Sequence, residues 1–281
     1  VANQVRRRHG FHRFGDWGPD FANSQAMAAT STASQSQLAL GEFQSSSEAA
    51  GHVLKELSWR NGTSGSARVF VGGLLPDSAW GAGQYDLSAN AFLDDTTDAQ
   101  DAGVGDFHLQ PASGASSNDG FIIHADRPFT ACSVIVSTTH GSVSHTVSYL
   151  DGGTFVAMPS VVVQPTLIGD TAEDQVIIWS KPPSWDASTS GGPSGIATGR
   201  YVVAITFSGT AGGAAAQIRV GNWRWACLLL PSDSAVQGSS MDVPIASEDE
   251  RPWALYDNGP AANHQVSLVT ELSSVVQKIG S

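Results

Sequence analysis

About ten short runs of β-branched and aromatic residues, with no long amphipathic helix between them, decide what this chain can fold into. HVLKELSW, ARVFVGGLL, FIIHA, TACSVIVSTT, SVSHTVSYL, TFVAM, VVV, QVIIWS, RYVVAITF and AAQIRVGNWRWACLLL follow one another from residue 52 to residue 230. Gly, Pro, Asn, Asp or Ser closes most of them, and those residues supply the turns that return a strand to its neighbour. RYVVAITF and SHTVSYL alternate apolar and polar positions, the period of strands with one face in a core. Tyr149-Leu-Asp-Gly-Gly-Thr-Phe155 reads as a hairpin, because Asp-Gly and Gly-Gly tolerate the positive φ of a tight turn. The expectation is an all-β chain with an antiparallel β-sandwich or jelly-roll-like body over residues 52–231.

The two ends have a different texture. Residues 1–51 open on the basic-aromatic head RRRHGFHRFGDWGPDF and continue as NSQAMAATSTASQSQLALGEFQSSSEAAG, too poor in large apolar side chains to build a core. Such an extended N-terminal arm is expected to be held by its own fold or by neighbouring subunits. Within residues 232–281, PSDSAVQGSSMDVPIASEDERPWALYDNGP reads as loop. HQVSLVTELSSVVQKIGS then spaces Leu268, Leu272, Val275 and Ile279 four, three and four apart, which predicts a short amphipathic helix over about 264–279, ended by Gly280. Its apolar face needs a partner, either this chain's sheet or another subunit. No repeat at a solenoid or propeller period is present.

Charge narrows the partners. Only 14% of the residues are charged, against about 25% in an ordinary soluble domain, and a surface so poor in Lys and Glu suits a protein covered by others. The net charge is −12, yet Arg6, Arg7, Arg8 and Arg13 stand in a head with no acid before Asp16, so the body is more acidic than the whole. An acidic body repels phosphate, which disfavours nucleic acid as its partner. The basic head suits an acidic protein neighbour as well as a nucleic acid. No apolar run reaches the roughly 20 residues of a membrane-spanning helix. VANQVRRRHG is not followed by the apolar stretch of a signal peptide, and a Val start is what removal of an initiator Met leaves. Cys132 and Cys227 both lie in strand-like apolar runs, as buried thiols of a chain made in the cytoplasm or, alternatively, as a bridge between sheets.

The chemistry-bearing residues do not assemble into a known catalytic pattern. The histidines form neither H-E-x-x-H nor H-x-H, and no cysteine stands near enough to complete a zinc set. His140 and His145 flank a turn and read as polar residues at a hairpin end. There is no G-x-S-x-G elbow, P-loop or dinucleotide fingerprint, and nothing nominates a carboxylate pair for glycoside hydrolysis. FLDDTTDAQDAGVGD gathers Asp94, Asp95, Asp98, Asp101 and Asp106 in one Gly-containing loop. Hard cations take oxygen ligands at flexible spacing, so a Ca²⁺ site is one reading and a solvated acidic loop is the other; the spacing is not that of an EF-hand. No cofactor is otherwise expected.

The tryptophans raise a sharper question. Trp179 and Trp185 flank Pro182 and Pro183 in W179-S-K-P-P-S-W185, and a loop of small residues leads to a strand opening on Arg200-Tyr201. Exposed rings of Trp179, Trp185, Trp223, Trp225 and Tyr201 would form a sugar-stacking platform, whereas buried ones would form a rigid corner. Trp179 ends the apolar run QVIIW and belongs inside; Trp185, in a loop after Pro-Pro, is the better candidate for exposure. The prolines fix the backbone where the strand leaves its sheet, and neither donates a ladder hydrogen bond. The rigid corner is the favoured reading.

Taken in order, Y149-L-D-G-G-T-F155, W179-S-K-P-P-S-W185, R200-Y-V-V-A-I-T-F207 and I218-R-V-G-N-W223 resemble a β-sandwich module of tailed-bacteriophage virion structural proteins, over about residues 120–230. The resemblance implies a virion protein without catalytic residues. The expected role is a head-surface decoration or cement protein, with a neck or tail component as the second choice. Its partners would be major capsid or tail and neck subunits and copies of itself, and it would dock through its terminal segments. Arg6, Arg7, Arg8, Phe11, Arg13, Phe14 and Trp17 are the docking candidates at one end, and Val269, Leu272, Val276 and Ile279 at the other. The rivals are a carbohydrate- or receptor-binding module of a tail tip or fibre and, behind it, a hydrolase of surface polysaccharide.

Overall fold

The computed structural model describes residues 11–13, 25–27, 37–39, 52–60, 67–101, 107–229 (apart from 113, 140, 142–143, 165–173, 188–189 and 211), 237–244, 251–256 and 264–272. In chain order the strands are β1 (Phe11–Arg13), β2 (Gln25–Met27), β3 (Gln37–Ala39), β4 (His52–Arg60), β5 (Ala67–Leu74), β6 (Trp80–Asp86), β7 (Ala91–Asp94), β8 (Phe107–His108), β9 (Gly120–Ala125), β10 (Ala131–Thr138), β11 (His145–Asp151), β12 (Thr154–Ala157), β13 (Val162–Gln164), β14 (Asp174–Ile178), β15 (Tyr201–Phe207), β16 (Ala214–Leu229), β17 (Gln237–Pro244), β18 (Arg251–Tyr256) and β19 (His264–Leu272). Helix among the described residues is confined to a 3-10 turn, Asp77–Ala79, and one short helix, α1 (Thr96–Gln100). The chain is all-β.

Among the described residues these strands form three sheets. A six-stranded sheet runs β12-β11-β15-β9-β6-β7; an eight-stranded sheet runs β13-β14-β10-β16-β5-β18-β3, with β8 also on β16; a five-stranded sheet runs β1-β19-β4-β17, with β2 also on β19. The ladders that build the first two are antiparallel, as short turns require.

The first two sheets share one apolar core. Phe121, Ile123, Val147, Val203, Ile205 and Phe207 of the six-stranded sheet pack in one cluster with Cys132, Val134, Ile177, Ile218 and Val220 of the eight-stranded sheet. Period 2 sends the alternate residues to the other face, so Ile122, Val202 and Ala204 join Tyr85, Phe92 and Leu150 in a second cluster on the outside of the six-stranded sheet. A strand apolar on both faces must be covered on both; this is why VVAITF reads as nearly continuous apolar sequence. β16 is unusual in length: its first half pairs with β10 from Ala214 to Gly221, and its second half pairs with β5 from Gly221 to Leu229.

The Asp-Gly-Gly hairpin forms as the sequence predicts. Asp151 pairs with Thr154 across Gly152 and Gly153, whose φ angles are +54° and +84°, values that suit glycine.

Three expectations are corrected. The helix over about 264–279 is a strand as far as Leu272, paired with β4 from Gln265↔Arg60 to Leu272↔His52; residues 273–281, with Val275, Val276 and Ile279, lie outside the described residues. HQVSLVTEL carries two periods at once, for Val266, Leu268, Thr270 and Leu272 also recur every second residue. Its β-branched members and an available partner strand favour the extended form. The stretch read as loop from Pro231 to Pro260 contains β17 and β18, and the acidic loop contains α1.

Of the two readings of the cysteines, buried thiols or a bridge between sheets, the ladders exclude the bridge. Cys132 faces Val220 across the ladder, while Cys227, further along β16, is paired with Val69. The two stand in one sheet, roughly 20 Å apart along the strand direction, far beyond the reach of a disulfide. Cys132 is a free thiol buried in the core, and burial raises its pKa well above the ordinary thiol value. Site-resolved alkylation of the folded protein is therefore expected to spare Cys132 and to label it only after denaturation; labelling in the native state at the denatured rate would contradict the packing.

Candidate functional site

The two tryptophans of W179-S-K-P-P-S-W185 are both inside. β14 stops at Ile178, and the Trp179 N–H then donates to the Thr130 carbonyl at 2.9 Å. The Trp179 indole is fully buried and donates to the Phe129 carbonyl at 2.9 Å, and its own carbonyl accepts the Trp223 indole N–H at 3.1 Å. Every polar group of the buried ring therefore has a partner. Pro182 is buried and Pro183 exposed, and the Trp185 N–H returns to the Pro182 carbonyl at 3.4 Å, closing the turn.

Trp185 is only 5% exposed, which fits the rigid corner and not the stacking platform. Rings from three other segments enclose it: Phe129 at 5.4 Å, Tyr201 at 5.5 Å and Tyr149 at 6.1 Å between centroids. Tilted and edge-on pairs of this kind contribute about 0.5–1.5 kcal/mol each beyond area burial. They offset the Trp185 indole N–H, which is buried without a hydrogen-bond partner. Ser184 clamps the corner to the β11–β12 hairpin, donating to Asp151 at 2.9 Å and lying 3.4 Å from the Tyr149 hydroxyl. Tyr201 is half-buried against Trp185 and the core. Trp179, Pro182, Pro183, Trp185 and Tyr201 are thus brought together, as a shape-fixing corner with no stacking platform. Trp223 is half-buried, edge-on to Phe70 at 6.0 Å.

The small-residue loop after the corner proves to be a strap, which the sequence does not reveal. A Cβ on Gly153 would lie 2.1 Å from the Ser190 carbonyl oxygen, so the strap starts against the β11–β12 turn. It ends on the opposite edge of the six-stranded sheet, where Phe92 N–H donates to Ser194 O at 2.9 Å and Ser194 N–H to Asn90 O at 3.0 Å. Between these anchors Pro193 is buried, and beyond Ser194 Ile196 packs on the outer apolar cluster. Arg200 closes the strap by donating to the Ala79 carbonyl at 3.3 Å.

The acidic residues are engaged by their near neighbours and by one another. Asp94 accepts from the Thr96 hydroxyl at 2.6 Å and from its N–H at 3.3 Å, while Asp95 accepts from Gln84 at 3.3 Å. A hydrogen bond with the Asp95 carboxyl raises the pKa of Asp98 above the usual carboxylate range. Among the described residues no three His, Cys, Asp or Glu side chains stand where they would hold a metal ion. Asp106 and His140 lie outside the described residues. His145 borders an open groove of about 410 Å³ lined also by Thr146, Val147, Met158, Val161 and Val163; its Nδ1 has no partner and burial lowers its pKa.

Of the terminal docking candidates, Arg6, Arg7, Arg8, Phe14, Trp17, Val276 and Ile279 lie outside the described residues. The others lie on two paired strands, β1 and β19: Phe11 is opposite Glu271, Arg13 is opposite Val269, and Leu272 ends β19 opposite His52 of β4. Within the described residues, then, the head and tail of the chain meet in one sheet. Compared with family models, with curated proteins and with solved structures, the chain matches none of them.

Proposed function

We propose that this chain is a non-enzymatic structural protein of a tailed-bacteriophage virion, with an antiparallel β-sandwich body that docks through its terminal segments. The favoured place is the head surface, as a decoration or cement protein. One observation carries the reading: the four sequence pieces that resemble the virion module sit around a single corner. The Tyr149–Phe155 piece is the β11–β12 hairpin, the Trp179–Trp185 piece packs on it, the Arg200–Phe207 piece supplies β15 beside β11, and Ile218–Trp223 lies in β16 next to β10. A spacer of this kind needs a fixed shape more than a reactive centre, and affinity comes from several weak attachments that raise one another's effective concentration. The glycan-binding rival loses the ring nominated for stacking, since Trp185 is enclosed.

Deleting residues 1–20 tests the proposal. The deletion removes β1 but leaves β19 paired with β4, so the far-UV spectrum and melting temperature of the body should be nearly unchanged while occupancy on density-purified particles is lost. Wild-type occupancy of the truncated chain, or recovery of the full chain only in the soluble fraction while particles assemble, would overturn it.

A further inference from the structure

The outer apolar face of the six-stranded sheet is closed by the Ser190–Arg200 strap, and the foot of that strap stands beside a histidine. We propose that His124 and Arg200 form an acid-operated latch: protonation of His124 releases the strap and uncovers the outer face of the sheet. The proposal is independent of the virion reading.

His124 lies on the outer face of β9, opposite Gly81 of β6 and Val202 of β15. The Phe92 ring stands edge-on to it at 5.4 Å. A Cβ on Gly81 would come 2.8 Å from His124 Cε1, 3.0 Å from Nε2 and 2.6 Å from Thr96 Oγ1, so the imidazole is seated directly against the β6 backbone where only glycine makes room. Its Nδ1 is buried with no hydrogen-bond partner. A neutral imidazole has one nitrogen without a proton, and an orphaned Nδ1 can be that nitrogen at modest cost. An imidazolium carries N–H on both nitrogens and leaves a buried donor unsatisfied.

The charges around the ring oppose protonation. Arg200 faces it from the foot of the strap and Asp94 from β7; β6 and β15 present Gly81 and Val202, and α1 presents Thr96, none of which titrates. The Asp94 carboxylate is already engaged by Thr96. Burial first and the Arg200 cation second hold the His124 pKa down to about 4, with Asp94 pulling weakly the other way.

When the ring does charge, the strap is the element free to yield. β9 is held by ladders to β6 and β15 on either side. The strap rests on the Arg200–Ala79 bond at 3.3 Å, the Ser194 bonds to Asn90 and Phe92, an Asn90 side-chain bond to Gly192 at 3.4 Å, and Ile196. Two of these bonds are beyond the usual range for N–H···O. A second cation beside Arg200 repels the foot, and lifting it admits water to His124 while exposing Phe92, Ile122 and Val202.

Amide exchange in the full chain, followed by NMR and corrected for intrinsic pH dependence, tests the latch. With a closed-state pKa of about 4 and an open-state value near 6.5, the opening constant reported by the Phe92 and Ser194 amides should rise about 100-fold from pH 7 to pH 4. Protection in the β11–β15 ladder should persist. His124→Gln should abolish the rise, His145→Gln should leave it intact, and Arg200→Gln should move its midpoint upward by removing the like charge. Should His124→Gln not fold, the Arg200→Gln shift decides the matter. Protection that does not change with pH, a rise that survives in His124→Gln, an unmoved midpoint in Arg200→Gln, or simultaneous loss of the ladder amides would each overturn the latch.

Discussion

Trp179→Ala should destabilise the body by about 3–5 kcal/mol, the cost typical of deleting a buried Trp side chain and a large share of the roughly 5–15 kcal/mol that holds an ordinary domain together. The ring is fully buried against Phe129 at the end of β14. Its hydrogen bonds make the effect specific. Trp179→Phe keeps most of the volume but strips the Phe129 carbonyl of its donor, adding about 1–3 kcal/mol for an unsatisfied buried acceptor. Trp185→Phe removes an indole N–H that has no partner, so it should cost less than Trp179→Phe. Denaturant midpoints at constant slope measure all three. If Trp185→Phe proved the more damaging of the two phenylalanine variants, the described hydrogen bonding at the corner would be wrong.

Acid should weaken the fold well before its carboxylates are neutralised. His124 is held to a pKa of about 4 by burial and by Arg200, and burial lowers His145 in the same direction. Below about pH 6.5 the unfolded chain takes up a proton at each of these positions while the folded chain does not. Stability is therefore full above the unfolded value, falls as pH drops towards 4, and levels off once the folded histidine is charged too. For His124 alone the loss amounts to at most about 3 kcal/mol, at about 1.4 kcal/mol per pKa unit. The difference in unfolding free energy between the wild type and His124→Gln, measured at pH 7, 5.5 and 4, isolates this share from that of the carboxylates. A difference that stays constant across the three would refute it.

Local chemistry made some of the structure readable in advance and hid the rest. The hairpin at Asp151–Thr154 was legible because a two-glycine turn needs positive φ, and that need is written in single residues. The body strands were legible because alternation and β-branching act within a strand. The enclosure of Trp185 is not written locally, because its surroundings come from Phe129, Tyr149 and Tyr201, three segments that no local pattern ties together. The strap escaped notice for a related reason. Only Pro193 and Ile196 mark its buried side, too few to distinguish a covering segment from a solvated loop, and the demand for a cover arises on strands far away in sequence. HQVSLVTEL failed differently: it satisfies two periods at once, and the choice between them was made by pairing with β4.

β16 belongs to two neighbourhoods without a break, zipped to β10 along one half and to β5 along the other. Such a continuous rod carries tension lengthwise. A pull on the region around β5 would load the β10–β16 bonds in shear, all sharing the stress together, instead of peeling them open one after another. A molecule anchored at its ends to a shell that swells or strains would in that way meet the load along its stiffest direction, with Gly221 as the joint where one grip hands over to the next.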